Sequence, residues 1–102
     1  RQHWVHYFHT VKKRNLSSLI LEKKLELNGT TKRIDLLVTE KTIPKVLVEC
    51  KAPHIKITEK TFEQIARYNS IIGAKEIILS NGLQHIFAKF SENHYVFSPF
   101  AY

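Results

Sequence analysis

The pattern of apolar and polar positions predicts a domain that begins with a helix and an antiparallel hairpin. Apolar residues recur at helical spacing in the first segment, at Trp4, Phe8 and Val11. This spacing predicts a helix over residues 1–14. Residues 19–27 end in an apolar–polar alternation and residues 33–39 are mostly apolar, so both segments are predicted strands. Asn28-Gly29 stands between them and is a strong signal for a tight hairpin turn.

The middle of the chain predicts a strand followed by a helix. A turn over residues 40–44 leads into a strand over residues 45–51, which is apolar in its middle. Pro53 stops this strand because proline has no N–H to contribute to a ladder. A helix then begins near Thr58 or Thr61, either of which is a suitable N-cap. Its apolar stripe consists of Phe62, Ile65, Ala66, Tyr68 and Ile72, and Gly73 ends it.

The remainder of the chain completes a mixed sheet. Residues 76–80 form a short buried strand, and residues 83–90 and 95–98 form a last hairpin. A strand–helix–strand unit over residues 45–80 is expected to be a right-handed crossover with parallel strands. The predicted class is therefore α/β (α+β), in which an antiparallel meander is joined to a parallel crossover strand and flanked by helices.

Composition adds a class of partner to this outline, because a compact domain with a large positive charge suits an anion. The 102 residues suffice for one domain over residues 1–102, with 16 Lys and Arg against 9 acidic residues and a net charge of +7. Residues 1–51 hold most of the excess positive charge, with 11 basic and 5 acidic residues. Nucleic acid and simple solubility are equally good explanations of this charge. No apolar run is long enough to span a bilayer, so no membrane partner and a cytoplasmic location are expected.

Three charged residues interrupt the apolar strands. Asp35, the single Asp of the chain, lies in the predicted return strand, and Glu49 and Lys51 end the third strand. Alternation places Glu49 and Lys51 on one face, with Cys50 on the other. Because the two strands are antiparallel neighbours, the two carboxylates are expected to lie close together. Such a pair suits Mg²⁺ or Mn²⁺, and a structural ion pair with Lys51 is the alternative explanation.

The sequence around these residues resembles a known family. Residues 32–38 read Lys-Arg-Ile-Asp-Leu-Leu-Val, residues 46–53 read Val-Leu-Val-Glu-Cys-Lys-Ala-Pro, and the following helix carries Gln64 and Tyr68 in a Gln-x-x-x-Tyr pattern. This ordered set resembles the PD-(D/E)XK nuclease superfamily, and most closely the N-terminal nuclease domain of type I restriction enzyme R subunits and its stand-alone relatives. The resemblance covers about residues 17–83 and implies a restriction-endonuclease-like three-layer core.

The resemblance also implies roles for individual residues. Asp35 and Glu49 would be metal ligands for Mg²⁺ or Mn²⁺, with the Cys50 carbonyl as a third, and Lys51 would be the catalytic lysine. The helix residue Gln64 would contact the metal-site water or the scissile strand. Tyr68 would support the site or contact DNA, although a plain core position explains it equally well. The residues expected to contact nucleic acid are Arg33, His54, Gln64 and Tyr68.

One departure from the family pattern concerns a further acidic residue. The relatives carry it on the helix before the first strand, and residues 1–14 contain none. Either that residue lies upstream of Arg1 in a longer protein, so that this domain is truncated at its N-terminus, or metal binding is weakened or lost. Glu22 is the only nearby substitute, and a solvated position is the favoured interpretation of it.

Three functions follow from these observations. The leading one is a metal-dependent endonuclease domain that hydrolyses DNA phosphodiester bonds in a restriction system, with other restriction-modification subunits as partners. A non-catalytic nucleic-acid-binding module that keeps the nuclease fold is the alternative, because of the missing acid. The apolar tail over residues 96–102 leaves a protein-interaction domain as a third. His3, His6 and His9 recur every third residue, which suits a solvated or DNA-facing helix side better than a metal site.

Overall fold

A computed structural model describes residues 2–11, 18–27 and 29–98 of the chain. Within these ranges a short helix, α1, continues into a π-helical turn over Tyr7–Val11 and is followed by six strands and a longer helix. In chain order the elements are α1 (Gln2–His6), β1 (Leu19–Leu27), β2 (Thr30–Glu40), β3 (Ile43–Cys50), α2 (Glu59–Ile72), β4 (Glu76–Ser80), β5 (His85–Ser91) and β6 (His94–Ser98). The predicted order of helices and strands is confirmed for the part of the chain described.

The six strands form one mixed sheet in the order β1-β2-β3-β4-β5-β6. β3 and β4 pair in parallel, with Val46 opposite Glu76 and Cys50 opposite Ser80, and the other neighbours are antiparallel. The helix α2 makes the connection between the two parallel strands, as such a pair requires. The predicted meander and parallel crossover strand are therefore confirmed, and the carboxyl ends of β3 and β4 meet at one edge of the sheet.

The predicted turn over residues 40–44 is wrong in its length. The chain turns at Lys41 and Thr42 alone, both of which have positive φ (52° and 66°), and β3 already includes Pro44. Positive φ at both central residues is typical of the tight turns whose twist matches a hairpin. Pro44 is tolerated within the strand because it lies at a register shift against β2 and precedes Val46, where pairing with β4 begins.

Buried side chains fill both faces of the sheet. One cluster joins the sheet to the N-terminal helical segment and contains Trp4, Phe8, Leu36, Val38, Val46, Val48, Ile78 and Phe87. The other joins the sheet to α2 and contains Ile34, Leu37, Leu47, Ile57, Phe62, Ile65, Ala74, Ile77, Leu79 and Ala88. Alternate residues of the central strands thus contribute to opposite clusters. The central strands are consequently held in place on both sides.

The helix α2 has defined ends. Thr58 is its N-cap and forms a reciprocal capping box with Thr61, and Gly73 ends it with a φ of 81° in the left-handed region. Both ends agree with the prediction from sequence. Within residues 2–11, 18–27 and 29–98 no helix is long and apolar enough to cross a membrane.

Candidate active site

The candidate site lies where β2 and β3 separate. Their paired register ends with Leu36 opposite Val48, so Asp35 and Glu49 are the next positions along the two strands. Beyond this point the Cys50 backbone N–H donates to the Asp35 side chain, at Oδ2 (2.8 Å), instead of to a backbone carbonyl of β2. The Asp35 carboxylate therefore accepts the hydrogen bond of the last N–H group of β3, and this bond holds it beside Glu49.

The Glu49 carboxyl is buried with incomplete compensation. Its side chain is only 3 % exposed, and Oε2 accepts a hydrogen bond from the Lys32 ammonium. The Lys51 ammonium lies 3.8 Å from the same oxygen. The other oxygen, Oε1, has no hydrogen-bond partner among the described residues. A buried carboxylate oxygen without a partner is costly, and a cation bound at Oε1 would offset that cost.

The surroundings of Glu49 change its acidity. Its pKa is raised from 4.5 to about 7, chiefly because burial disfavours the charged carboxylate. The second cause is the neighbouring Asp35 carboxyl, with which the protonated form of Glu49 can form a hydrogen bond. The Lys32 ammonium acts in the opposite direction by stabilising the charge. Near neutral pH the carboxyl therefore exists in both protonation states, and a cation at Oε1 would favour the ionised one.

Lys51 is placed by the sheet edge. Its backbone N–H donates to the Ser80 carbonyl (2.7 Å), which ties the end of β3 to the end of β4. Its side chain is about a quarter exposed, with the ammonium directed toward Glu49. The structure thus brings Asp35, Glu49 and Lys51 together, as predicted, and leaves the Lys51 side chain partly exposed.

Lys32 is a member of the site that the sequence did not single out. It lies near the start of β2, contacts Glu49 and has its ammonium 5.7 Å from the centroid of the Tyr68 ring on α2. A lysine in a polar strand segment has the same sequence signal as any solvated lysine. Lys32 lies three residues before Asp35, but this spacing alone does not indicate a functional role.

The other predicted residues lie around this centre. Tyr68 is half-buried and is linked to the site through Lys32, whereas Gln64 is exposed one turn earlier on α2. Gln64 lines a shallow cleft of about 190 Å³ together with Lys60, Glu63 and Arg67. Arg33 and His54 are exposed, the first on β2 and the second in the loop after β3. Gln64 has no described contact with Asp35 or Glu49, so its role stays a prediction.

Cys50 has the orientation that alternation predicts. Its side chain packs against the cluster that contains Trp4 and Phe8, on the face away from α2. Burial raises the pKa of the Cys50 thiol, which keeps it protonated and unreactive. Its side chain is therefore a packing group, and the predicted ligand role concerns only its backbone carbonyl.

A second, larger cleft opens at the carboxyl ends of β3 and β4. It has a volume of about 450 Å³ and includes Lys51 in its wall. The other lining residues are His3, Trp4, Cys50, Pro53, Ser80, Asn81, Gly82 and His85. Sequence reasoning did not find this cleft, because it is assembled from α1, β3, β4 and β5.

The donor set fits a hard cation in part. Two carboxylates, one of which has a buried oxygen without a described partner, are the kind of ligands that Mg²⁺ and Mn²⁺ prefer. Within the described part of the chain, however, no group of three His, Cys, Asp or Glu side chains is arranged to hold a metal ion. The side chain of Glu22, the nearby substitute, lies outside the described residues. The described residues of the site therefore offer two carboxylates, those of Asp35 and Glu49, as ligands.

Comparison with known proteins identifies the family. The chain matches the family model of the type I restriction enzyme R protein N terminus over residues 1–100. No curated protein and no solved structure matches it. The match includes β2, β3 and α2 with the predicted site residues, and it extends beyond residues 17–83, on which the resemblance was based. The chain belongs to the family of type I restriction enzyme R protein N-terminal domains.

Proposed function

We propose that this domain is a metal-dependent endonuclease module that hydrolyses DNA phosphodiester bonds within a restriction system. The observation that carries the proposal is the buried Glu49 carboxyl, which lies beside Asp35 and Lys51 and has one oxygen without a partner in the described part of the chain. A purely structural ion pair has no use for that unpartnered oxygen. The family membership supplies the biological setting, a restriction enzyme R protein.

The residues that would hold the metal are Asp35, Glu49 and the Cys50 carbonyl. When bound, Mg²⁺ or Mn²⁺ would lower the pKa of a coordinated water and neutralise charge on a phosphate oxygen. The layered restriction-endonuclease-like core belongs to the same proposal, and it is supported by the packing of helical segments against both faces of the sheet.

The chain's own lysines have separate tasks in this proposal. The Lys51 ammonium, accessible and 3.8 Å from Glu49 Oε2, would stabilise negative charge on the phosphoryl group. Lys32 lies between Glu49 and the Tyr68 ring, and would keep the Glu49 carboxyl ionised and in place. Lys32 is accordingly a positioning residue, whereas Lys51 faces the substrate.

The partners in this proposal are DNA and other restriction-modification subunits. The net charge of +7 supports an anionic partner, and the exposed Arg33 and His54 supply cationic or polar groups close to the site along the chain. Gln64, on an exposed face of α2 with Lys60 and Arg67, would contact the strand that is cleaved.

Nicking of supercoiled plasmid in Mg²⁺ or Mn²⁺ tests the proposal. Glu49→Gln, Asp35→Asn and Lys51→Met should each abolish nicking, because each removes a ligand or the charge that faces the phosphate. Matched controls are Glu76→Gln and Lys75→Met at the opposite end of β4, which should cleave like the unaltered protein. Cleavage that persists in the three site variants would refute the assignment.

A non-catalytic DNA-binding module is the second candidate. The finding that favours it is that the described residues contain no three-ligand metal cluster. It predicts salt-sensitive DNA binding in EDTA and no nicking with either metal. Nicking that appears only when the chain is extended upstream of Arg1 would instead assign a missing acidic ligand to that extension.

A further inference from the structure

The cleft at the carboxyl ends of β3 and β4 has no task in the hydrolysis proposed above. We propose that it receives one unstacked base of a DNA strand whose phosphate lies toward Lys51. This inference rests on the proposed function, because it takes DNA as the partner. The volume of about 450 Å³ is within the usual range for small-ligand sites.

The location of the cleft supports a binding role. β3 and β4 are the parallel pair of the described sheet, and the cleft opens directly beyond their last residues, Cys50 and Ser80. The Lys51 N–H hydrogen bond to the Ser80 carbonyl fixes the two strand ends relative to each other. In open α/β sheets, ligands bind in the crevice outside the carboxyl ends of such strands.

Aromatic rings supply the surface on which a base would stack. The wall is the buried indole of Trp4, flanked by the exposed imidazoles of His3 and His85 with ring centroids 5.1 and 5.6 Å away. Both imidazoles stand nearly perpendicular to the indole. Exposed ring faces beside a rigid ring suit base stacking, which is tolerant of sequence.

The His85 ring is held in a fixed orientation. Its Nδ1 is hydrogen-bonded to Ser80 Oγ (2.7 Å), and the same oxygen accepts from the Gly82 N–H (3.1 Å). Ser80 is itself buried, so this chain of bonds is anchored in the sheet. The arrangement leaves Nε2 of His85 for the polar edge of a base, with little ordering cost on binding.

The charge of the cleft fits a nucleotide. Its described lining contains Lys51 and two histidines and no acidic side chain. Lys51 lines the cleft and its ammonium lies 3.8 Å from Glu49 Oε2, so this residue connects the cleft to the candidate active site, and the phosphate of a bound base would lie toward it. A base can enter only when it leaves the stack, which favours a single strand or a distorted duplex over a paired one.

Trp4 makes the cleft directly observable, since it is the single tryptophan of the chain. The experiment titrates the protein with a short single-stranded oligothymidylate in EDTA and follows tryptophan fluorescence, with anisotropy of a labelled oligonucleotide as the second readout. We expect a saturable change with the single strand and binding of a fully paired duplex that is about tenfold weaker. His85→Ala should weaken single-strand binding about tenfold, from the loss of one stacking partner.

The matched control is His94→Ala, an exposed histidine on β6 outside the cleft, which should bind normally. Equal binding of duplex and single strand, an unchanged affinity in His85→Ala, or the same fluorescence change with inorganic phosphate alone would overturn the inference. Glu49→Gln separates the two proposals, because it should end nicking and leave the single-strand fluorescence response intact. A protein that never nicks but gives that response would refute hydrolysis while supporting the base site.

Discussion

The energetic cost of the candidate site is concentrated in one side chain, Glu49. Its carboxyl is removed from water, and its two lysine neighbours, Lys32 and Lys51, both lie against the same oxygen. The other oxygen is buried and has no hydrogen-bond partner among the residues that the structure describes. An apolar residue at this position would give a more stable fold, because the attraction within a buried ion pair seldom offsets the cost of removing its charges from water.

The raised pKa of Glu49 has a consequence for stability that depends on pH. Its pKa is about 7 in the folded protein and 4.5 ordinarily, so between these values the folded state binds more protons than the unfolded state. Stability from this group is therefore present at low pH and is lost as pH rises from about 4.5 to about 7. A shift of this size corresponds to about 3 kcal/mol.

Glu49→Gln, which does not titrate, should remove this loss. Relative to the unaltered protein, the variant should gain about 3 kcal/mol of unfolding free energy between pH 4.5 and pH 8, measured by urea denaturation in EDTA. Glu63→Gln, at an exposed position of α2, is the control and should show no such pH dependence. A constant difference between Glu49→Gln and the unaltered protein at every pH would contradict the raised pKa.

Asp35 combines a structural and a chemical task that two substitutions separate. Its Oδ2 accepts from the Cys50 N–H, so Asp35→Ala leaves that partly buried donor without a partner and should cost about 1–3 kcal/mol. Asp35→Asn keeps an acceptor oxygen and should fold with nearly unchanged stability while losing nicking. Denaturation and nicking of both variants test this separation, which fails if the two variants are equally destabilised.

The sequence allowed part of this site to be predicted, for a physical reason. Asp35 and Glu49 stand out because charges inside apolar strands are costly, and an antiparallel register then brings them together. Lys32 could not be found in this way, because its contacts depend on how its long side chain crosses from β2 to Glu49 and Tyr68. Polar residues near a strand end carry no periodic signal.

At the scale of elements, α2 is fixed at its C-terminal end by an unpredicted buried side chain. The Asn69 amide donates to the Ala74 carbonyl (2.8 Å) and the Tyr95 hydroxyl (3.0 Å), and its oxygen accepts from the Ala74 N–H (2.9 Å). This set of bonds joins the helix to the loop before β4 and to β6. It therefore sets the position of the helix that carries Gln64 and Tyr68.

Asn69→Ala should destabilise the domain by about 3 kcal/mol, because both polar groups of the buried Ala74 backbone lose their partner. The neighbouring Ser70→Ala, at an exposed position, should change stability by less than about 0.5 kcal/mol. Thermal or urea unfolding of both variants provides the measurement. Equal stabilities would mean that Asn69 does not hold the helix.

Some boundaries of helices and strands could be predicted from local sequence signals, and others could not. Leu19–Leu27, the helix caps at Thr58 and Gly73 and the strand Glu76–Ser80 match their predictions, because apolar patterning and cap residues are local signals. β2 begins earlier than predicted, at Thr30, since its polar start is paired only through the hairpin register. Pro44 is likewise tolerated in β3 because pairing with β4 begins only at Val46. The local sequence does not indicate where that pairing begins.

At the scale of the whole molecule, the uneven distribution of charge defines how DNA should bind. Residues 1–51 hold 11 of the 16 basic residues, and this half contains β1, β2 and β3, with the candidate site at the strand end. Exposed lysine and arginine gain most of their binding free energy by releasing condensed counterions from the phosphates. Affinity should therefore fall linearly with salt on logarithmic axes, and each phosphate contact should contribute to the slope.

Arg33→Gln tests this distribution, because Arg33 is exposed and lies two residues before Asp35. Loss of one phosphate contact should reduce the magnitude of the salt slope by about 0.9 for a duplex and weaken binding of all sequences alike. Lys89→Gln, exposed on β5 in the less basic half, removes the same charge and should leave the slope nearly unchanged. Anisotropy of a labelled duplex across a salt series in EDTA measures both slopes. Equal reductions in the two variants would mean that net charge attracts the DNA, and a change confined to Arg33→Gln assigns the contact to the strand that carries Asp35.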